Sequence, residues 1–389
     1  MIMLVPLSYN LRSLWVRKSS TFLTVLGLGA TVAIVSAVLA LQQGFQTMFT
    51  AGGREDLAVF LRPGATGEGD SIFRRDLGDR LMKTLSEIES DALGPMASME
   101  CYLAVLAKRM DGGETNVPLR GVQPATFRLR ARELSIVAGR NLVPGSDEVI
   151  IGKSLVGRIQ NTELDDVIVL NTTPFRVVGH FECPGAFASE IWGDLERFLP
   201  TLGRYGPNRI LAKVRDGTDI VALSKRLEDD KEVPAKALSE REYLASQTKR
   251  FSKVLKGLGV VLGVIMGVGA IFAATNTMLA SVASRTSEIG ILLALGYRPI
   301  PIFLSFQFEA LLLGFAGGLV GCLFALPFNG IETGAMNWNT FTEFAFAFRV
   351  TPLVLVVAVG FAVLLGLVGG AWPAWRAARM KPTEALRQG

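Results

Sequence analysis

The sequence predicts an α-helical membrane protein with four transmembrane helices and a large mixed α/β extracytoplasmic domain between helices 1 and 2. Three observations lead to this fold class. Half of the 389 residues are hydrophobic and the mean hydropathy is +0.38, which is unusual for a soluble chain of this length. Four windows are long and apolar enough to cross a bilayer. The region between the first two windows is polar and rich in turn-forming residues.

The net charge of +5 is compatible with nucleic acid binding or with basic loops on the cytoplasmic side of a membrane protein. We favour the second explanation, and therefore expect membrane lipid and no nucleic acid as a partner. Three cysteines and one histidine are too few for a structural zinc site or an iron–sulfur cluster, so no metal site is predicted.

The first span is predicted at residues 19–41, after a basic segment at residues 1–18 that contains Arg12, Arg17 and Lys18. The basic flank and the segment AVLA at residues 37–40 would also suit a cleaved signal peptide. The apolar run is longer than the core of a signal peptide, which favours an anchor that stays in the membrane.

Residues 42–253 form the predicted outer domain, in which turn-forming segments such as RPGATGEGD and VPGSDE separate short β-like runs. Strands are predicted at residues 57–61, 102–107, 148–151, 167–170, 175–178 and 209–214. Apolar residues recur at helical spacing over residues 74–88 and 220–229, where we predict helices.

Some features of this domain resemble motifs that carry chemistry. The segment GKS at residues 152–154 resembles the end of a phosphate-binding loop, but Asp147 stands where that loop requires glycine. His180 has no neighbouring pattern of a catalytic triad and is interpreted as structural. Cys101 and Cys183 could form a disulfide in an oxidising compartment, although two buried thiols are favoured.

Spans 2, 3 and 4 are predicted at residues 254–284, 299–326 and 350–375. The basic residues of the short loops place residues 1–18, 285–298 and 376–389 on one side, which should be the cytoplasm, and the loop 327–349 on the other. Both termini are therefore expected in the cytoplasm.

Small residues recur in spans 2, 3 and 4, which predicts close packing of helices within the chain or in a dimer. The general enrichment of glycine in membrane helices is the alternative explanation. The residues include Gly259, Gly263 and Gly267 in span 2, Gly314, Gly317 and Gly321 in span 3, and Gly366 and Gly370 in span 4.

Glu309 is the single acidic residue within a span. Acids inside a membrane are candidates for function, and a hydrogen-bonded carboxylate near the cytoplasmic interface is the alternative that the sequence leaves open.

The segment RTSEIGILLALG, residues 285–296, follows span 2 directly and has helical periodicity. Ile289, Leu292 and Leu293 share one apolar face, and Ile291 and Leu295 form a second. Surface of this kind is costly to leave in water, so it must be covered by lipid headgroups, by neighbouring helices or by a groove on another protein.

The sequence also contains residues that are typical of the two ends of a helix. Arg285 and Glu288 are one turn apart and can pair. Gly296 suits the position after the last helical residue, and Pro299 is expected to stop the helix.

The segment SRTSEIGILLALGYRPIPIFLSFQFEALLLGFAGGLVG and the later GLVGGAWPAWRAARMKPTEALR resemble the FtsX-like permease domain of MacB-type and lipoprotein-release ABC transporters, of the type VII class. Weaker similarity is found in GRNLVPGSDEVIIGKSL and FRVVGHFE of the outer domain. The matching residues are Arg285, Glu288, Ile289, Gly290, Ile291, Leu292, Ala294, Leu295, Gly296, Glu309, Pro382, Ala385, Leu386 and Arg387.

The resemblance implies a non-enzymatic permease subunit that couples ATP hydrolysis by another subunit to movement of the outer domain, for export or extraction of a substrate. The short helix would sit in a groove of the ATPase. The implied coupling residues are Arg285, Glu288, Ile289, Gly290, Leu292, Leu293, Leu295 and Gly296. Leu293 stands where the family often has lysine.

The implied partners are two ATPase copies, which would bind the ATP and Mg²⁺, and a second permease copy, identical or related. MacB itself carries a fused ATPase, whereas this chain begins about 18 residues before its first span, so a separate ATPase is expected and no cofactor in this chain. A periplasmic adaptor and an outer-membrane channel are further candidates. The implied location is the bacterial inner membrane.

The resemblance leaves the substrate open, because relatives handle lipoproteins, peptides, antibiotics and lipids. An alternative function is that of an FtsX-like signalling protein that activates a cell-wall hydrolase, a branch with a smaller outer domain.

Overall fold

The structure, a computed structural model, describes residues 18–336 and 343–381. Arg12, Arg17 and the predicted matches at Pro382, Ala385, Leu386 and Arg387 lie outside the described residues. The chain divides into two compact units. One, here called the helical unit, comprises residues 1–44, 253–331 and 347–389; the other, the outer domain, comprises residues 45–252 and 332–346.

The helices of the described residues are of two kinds, long and short. In chain order they are α1 (Lys18–Ala51), α2 (Arg75–Thr84), α3 (Pro124–Leu129), α4 (Leu195–Thr201), α5 (Ile220–Glu228), α6 (Glu240–Ala283), α7 (Thr286–Ala294), α8 (Pro299–Ala325) and α9 (Pro352–Ala378). The long helices are α1, α6, α8 and α9; of the short helices, α2 to α5 belong to the outer domain and α7 to the helical unit.

Four segments of these helices are long and apolar enough to cross a membrane: Lys18–Met48, Ser252–Ala283, Pro299–Phe328 and Pro352–Ala378. Together with the mixed sheet that lies between the first and second of them in the chain, they confirm the predicted fold class. Helices α1 and α6 extend well beyond the predicted apolar windows because helical hydrogen bonding continues into the polar residues that flank each window.

The strands belong almost entirely to the outer domain. They are β1 (Leu57–Leu61), β2 (Ser90–Asp91), β3 (Gly94–Pro95), β4 (Ala97–Lys108), β5 (Glu114–Val122), β6 (Ser135–Gly139), β7 (Glu148–Gly152), β8 (Val167–Leu170), β9 (Thr173–Glu182), β10 (Ile191–Asp194), β11 (Arg209–Lys213), β12 (Lys236–Ser239), β13 (Glu332–Met336) and β14 (Glu343–Ala347).

A 10-stranded mixed sheet organises the outer domain, in the order β12-β1-β11-β4-β5-β10-β7-β9-β6, with β8 paired to β9. The pairs β5–β10 and β7–β9 are parallel, and the others are antiparallel. Two further pairs, β2–β3 and β13–β14, form small separate sheets, the second within the loop predicted at residues 327–349.

Hydrophobic residues cover both faces of the sheet. In β1, Ala58 and Phe60 belong to one buried cluster, and Leu57, Val59 and Leu61 belong to the other. Successive side chains of a strand point to opposite faces, so a continuous apolar run produces this double burial. The same feature made the apolar runs of this domain recognisable as strands in the sequence.

Two differences from the predicted elements have clear physical reasons. The helix predicted at residues 74–88 ends at Thr84, because Ile88 is drawn into an antiparallel bridge with Val214. Strand β5 was not predicted, because Pro118 and the buried Arg120 interrupt its apolar pattern. Pro118 is tolerated because the parallel pairing with β10 begins only at the next residue.

A buried ionic cluster lies at the centre of the outer domain. The Arg120 guanidinium donates to Glu190 through Nε (2.7 Å) and Nη2 (2.8 Å) and to Glu68 through Nη1 (2.8 Å). Arg209 donates to Glu68 (2.7 Å) and to Glu100 (2.6 Å). All five side chains are at most 5% exposed. Buried charges are tolerated only when they are paired in this way.

A second buried pair joins this domain to the first residue of α6. Arg130 binds Glu240, and both side chains are fully buried. The guanidinium of Arg130 also lies 4.1 Å from the centroid of the Phe187 ring. The backbone N–H of Arg54 donates to the other oxygen of Glu240 at 3.4 Å. The N-terminal end of α6 is thereby held by charge as well as by packing.

The residues singled out for chemistry in this domain are structural. His180 is buried, and its Nε2 lies 2.7 Å from the carbonyl oxygen of Thr162. Cys101 and Cys183 are free and buried, as favoured. Burial raises the pKa of both thiols to about 12, which disfavours the reactive thiolate.

We predict that Glu100→Gln destabilises the outer domain by about 1.5–3 kcal/mol near neutral pH, because the buried guanidinium of Arg209 loses the carboxylate that accepts hydrogen bonds from its Nε and Nη2. Burial alone would raise the pKa of Glu100, but Arg209 and Arg120 outweigh it and lower the pKa from 4.5 to about 2. The stability from this group is therefore complete above pH 4.5 and is lost as the pH falls towards 2. Unfolding of the detergent-solubilised chain, followed by near-UV circular dichroism, measures both effects.

The matched control is Glu114→Gln, which removes an exposed acid from the same strand as Arg120. It should change the free energy of unfolding by less than about 0.5 kcal/mol. Equal changes in the free energy of unfolding for the two substitutions would contradict the role given to the cluster. So would a Glu100→Gln variant that loses as much stability between pH 4.5 and pH 2 as the wild-type chain does.

Candidate functional site

The candidate site is the short helix α7 with the helix ends on either side of it. Its first backbone bond runs from the N–H of Ile289 to the carbonyl of Arg285 (3.0 Å). At the other end Gly296 has φ of +90°, where glycine is favoured. The N–H of Gly296 donates to Leu293 and that of Tyr297 to Leu292, both at 3.1 Å, which forms a Schellman motif.

Pro299 has a different role from the one expected. It is the first residue of α8 rather than the residue that ends α7. Proline suits the first turn of a helix because its missing N–H would have no partner there. The glycine motif therefore ends one helix, and the proline begins the next only a few residues later.

A buried ion pair connects α7 to the membrane helices. Nη1 of Arg285 lies 3.2 Å from Oε2 of Glu309 in α8, and the two side chains are 10% and 3% exposed. The other oxygen of Glu309 accepts a hydrogen bond from Ser281 in α6 (2.9 Å). The Arg285 guanidinium also lies 5.3 Å from the ring centroid of Phe306. Three helices thus meet at one carboxylate.

The pair predicted within α7 is present but weaker. Nε of Arg285 lies 3.4 Å from Oε2 of Glu288, whose side chain is 53% exposed. An exposed pair of this kind contributes at most about 1 kcal/mol, whereas a carboxylate inside a membrane helix costs several kcal/mol unless it is paired. The contact with Glu309 therefore determines where Arg285 lies.

The two apolar faces predicted for α7 have different surroundings. Ile289 is buried and Leu293 half-buried in a cluster that includes Met278 of α6 and Phe306 of α8. The second face, with Ile291 at 50% and Leu295 at 73% exposure, is open. Gly290 is buried, and Leu292 is half-buried. One face of α7 is covered by the chain's own helices, and the other has no cover within the described residues.

The glycines of span 3 allow α8 to approach α1 closely. A Cβ placed on Gly317 would lie 2.6 Å from Cβ of Leu28, and one on Gly321 would lie 2.6 Å from Cβ of Val32. Neither position has room for a larger residue. In this structure these glycines pack two helices of the same chain.

The glycine row of span 2 lies at looser contacts. A Cβ on Gly259 would lie 3.2 Å from Val38 of α1, and one on Gly267 would lie 3.2 Å from Leu365 of α9. At Gly263 the nearest atoms are 3.9 Å away. These three glycines of α6 therefore face side chains of the helical unit, and they do not bring two helix backbones close together.

Glycines of spans 3 and 4 also form a close contact, which joins α8 to α9. A Cβ on Gly314 would lie 2.7 Å from the carbonyl oxygen of Ala362, and one on Gly366 would lie 2.6 Å from that of Ala310. The two backbones therefore run close together, as small residues permit in membrane helices.

Thr275 of α6 compensates a proline in α9. Pro373 lies inside that helix and has no N–H, so the carbonyl of Gly369, four residues earlier, loses its helical donor. The Thr275 hydroxyl donates to this carbonyl at 2.8 Å. A carbonyl within a membrane needs such a partner, so the contact also fixes the register of α6 against α9.

The site contains no arrangement typical of metal binding. Within residues 18–336 and 343–381, no group of three or more His, Cys, Asp or Glu side chains could hold a metal ion. A cavity of about 20 Å³ in the outer domain, lined in part by Arg109, Arg158 and Ser189, has room for roughly one water molecule. What the site offers is an exposed apolar face attached to a buried ion pair.

Comparison with known proteins adds independent information. Residues 21–230 match the family described as MacB-like periplasmic core domain. Residues 260–382 match the family described as FtsX-like permease C-terminal. The two matches together include most of the outer domain, the short helix and most of the four spans.

Individual relatives support the same relationship. The macrolide export ATP-binding/permease protein MacB of Agrobacterium fabrum is 26% identical over 405 residues, covering 96% of this chain and 59% of that protein. MacB of Bdellovibrio bacteriovorus is 24% identical over 424 residues, covering 99% and 62%. The chain thus spans about three fifths of the length of these relatives.

A solved structure was also compared. The crystal structure of the periplasmic region of MacB from Actinobacillus actinomycetemcomitans aligns with a TM-score of 0.37 and 14% sequence identity. The alignment covers 52% of this chain and 94% of that one.

We predict that Glu309→Leu lowers the stability of the helical unit by about 3–5 kcal/mol, because it leaves the buried guanidinium of Arg285 without its carboxylate. The double variant Glu309→Leu with Arg285→Met should recover most of this loss, because it buries no unpaired charge. Reversible denaturation in mixed micelles measures the four free energies of the cycle.

Glu288→Gln serves as the control, because it removes the exposed partner of the same arginine. It should cost less than about 1 kcal/mol. Additive effects of the two substitutions in the cycle would show that Arg285 and Glu309 do not interact.

Proposed function

Since the chain belongs to the family of MacB-like and FtsX-like ABC transporter permeases, we propose that it is a permease subunit that couples ATP hydrolysis by a separate ATPase to movement of its outer domain. The movement would drive export or extraction of a substrate at the outer side of the membrane. The observation that carries this proposal is α7, which is tied to the membrane helices on one side and open on the other.

The open face of α7 is the proposed contact with the ATPase. Ile291 and Leu295 are exposed, and Glu288 lies beside them. Exposed apolar side chains next to a polar rim are typical of protein contacts. Ile289, Gly290 and Leu293 would act from the other face, by holding α7 against its own helices.

The buried ion pair is the proposed route of force into the membrane helices. A displacement of α7 would move Arg285, and through it Glu309 in α8 and Ser281 in α6. Helix α6 is continuous from Ala283 back to Glu240, where its first residue binds Arg130. A displacement of one end of this helix would then be passed along the helix towards the other end.

The proposed assembly contains two ATPase subunits, which bind ATP and Mg²⁺, and a second permease copy. We place it in the bacterial inner membrane, with residues 285–298 and both termini on the cytoplasmic side. An adaptor protein and an outer-membrane channel would complete an export route. The match of residues 21–230 to the MacB-like periplasmic core domain favours transport over activation of a cell-wall hydrolase.

We predict that Ile291→Ser combined with Leu295→Ser weakens binding of the ATPase by at least about tenfold, because burial of each side chain is worth roughly 1.5–3 kcal/mol. The same variant should lose most ATP-driven activity of the complex. The measurement is the amount of ABC ATPase that co-purifies with the tagged chain from its native membrane, with its ATPase rate.

Val221→Ser is the matched control, because it removes an apolar side chain of similar exposure from α5 of the outer domain. It should leave co-purification unchanged. Recovery of the wild-type chain without any ABC ATPase would overturn the proposed function. Normal ATPase binding by the double variant would overturn only the assignment of this face.

A further inference from the structure

Helix α9 has one exposed apolar face that runs along its whole length. Its exposed side chains follow one another at three-, four- and seven-residue spacing, so they share a single face of the helix. They include Leu353, Val357, Leu364, Val368, Trp372 and Trp375. In a membrane a continuous apolar face of this kind lies against lipid acyl chains.

This face ends in two tryptophans, each covered by an arginine one turn later. The guanidinium carbon of Arg376 lies 5.8 Å from the ring centroid of Trp372, and that of Arg379 lies 4.6 Å from that of Trp375. The indoles are 52% and 48% exposed, and both arginines are exposed. Among the residues that the structure describes, neither guanidinium forms an ion pair with a carboxylate.

The side-chain types along this face follow the same order as the parts of a phospholipid, from its acyl chains to its headgroup. Aliphatic residues come first, then indoles, which favour the boundary between hydrocarbon and water, and then guanidinium groups. An arginine stacked on an indole keeps its N–H donors free at the edge of the plane. Paired donors of this geometry bind phosphate oxygens well.

We propose that Trp372, Trp375, Arg376 and Arg379 form a binding site for the headgroup phosphate of an anionic phospholipid. The acyl chains of that lipid lie along Val368 and Leu364, one and two turns before Trp372. The site fixes the depth of α9 in the bilayer, next to the turn of the helix where Pro373 and Gly369 meet Thr275.

Charge favours a lipid over a second copy of the chain as the occupant of this face. A symmetric dimer places the same patch of both copies together, so the arginines of one copy would face those of the other. Such a contact would bring four positive charges together without a compensating acid. An anionic phospholipid supplies the opposite charge and the apolar chains at once.

The test uses the full chain in vesicles of phosphatidylcholine with 20% phosphatidylglycerol as the probe lipid. Quenching of tryptophan fluorescence by spin-labelled phosphatidylglycerol is compared with quenching by spin-labelled phosphatidylcholine. Subtraction of the Trp372→Phe with Trp375→Phe variant isolates the signal of these two indoles. The wild-type chain should prefer the anionic lipid, and Arg376→Gln with Arg379→Gln should reduce the preference by about fivefold per arginine at low salt.

The matched control is Lys253→Gln with Lys256→Gln, which removes two exposed charges from α6. It should leave the preference at Trp372 and Trp375 unchanged. Equal quenching by the two lipids in the wild-type chain would overturn the proposal. So would an arginine variant with wild-type preference, or one that turns a stable dimer into a monomer, which would identify a second copy as the occupant.

Discussion

A charged side chain that is buried away from water requires an oppositely charged partner. Two such buried ion pairs lie at or near the two ends of helix α6. Its first residue, Glu240, is buried against Arg130. Two residues after its last, Arg285 is buried against Glu309 of α8. Each pair costs desolvation and would be destabilising if one member were removed. The main effect of the two ion pairs is therefore to fix where each end of α6 lies, rather than to add stability.

The membrane helices are held by a different constraint. Apolar side chains gain little by leaving lipid for one another, so close packing and internal hydrogen bonds must hold the spans together. Gly314 and Gly366 allow α8 and α9 to approach through their backbones. Thr275 satisfies the carbonyl that Pro373 leaves without a donor. These contacts fix how the helices pack around the site where α7 is attached.

Much of the fold could be predicted from the sequence, because spans and strands are recognised from the residues within each segment. Apolar runs reveal the spans and six of the ten strands of the large sheet, and Glu309 stands out as an acid within an apolar span. The partner of Glu309 could not be predicted, because the contact with Arg285 depends on how α6 and α8 pack. Strand β5 was missed because Arg120 looks like a surface residue until its buried acids are known.

The two faces of α7 also could not be assigned from the sequence, because their surroundings depend on contacts between separate helices. Periodicity separates Ile289 and Leu293 from Ile291 and Leu295, but it cannot say which pair is covered by the chain itself. The structure covers the first pair and leaves the second exposed. Under the proposed function, the exposed pair contacts the ATPase. The proposed coupling depends on this division of one short helix into a buried face and an exposed face.

Cysteine labelling measures this division directly. Leu295→Cys and Leu293→Cys are treated with a bulky polar maleimide in open membrane fragments, where the three native cysteines are buried and should react slowly. The account predicts that Leu295→Cys reacts roughly tenfold faster, because its thiol is accessible, and that added ATPase protects it. Equal labelling of the two positions, or no protection of Leu295→Cys by the ATPase, would contradict it.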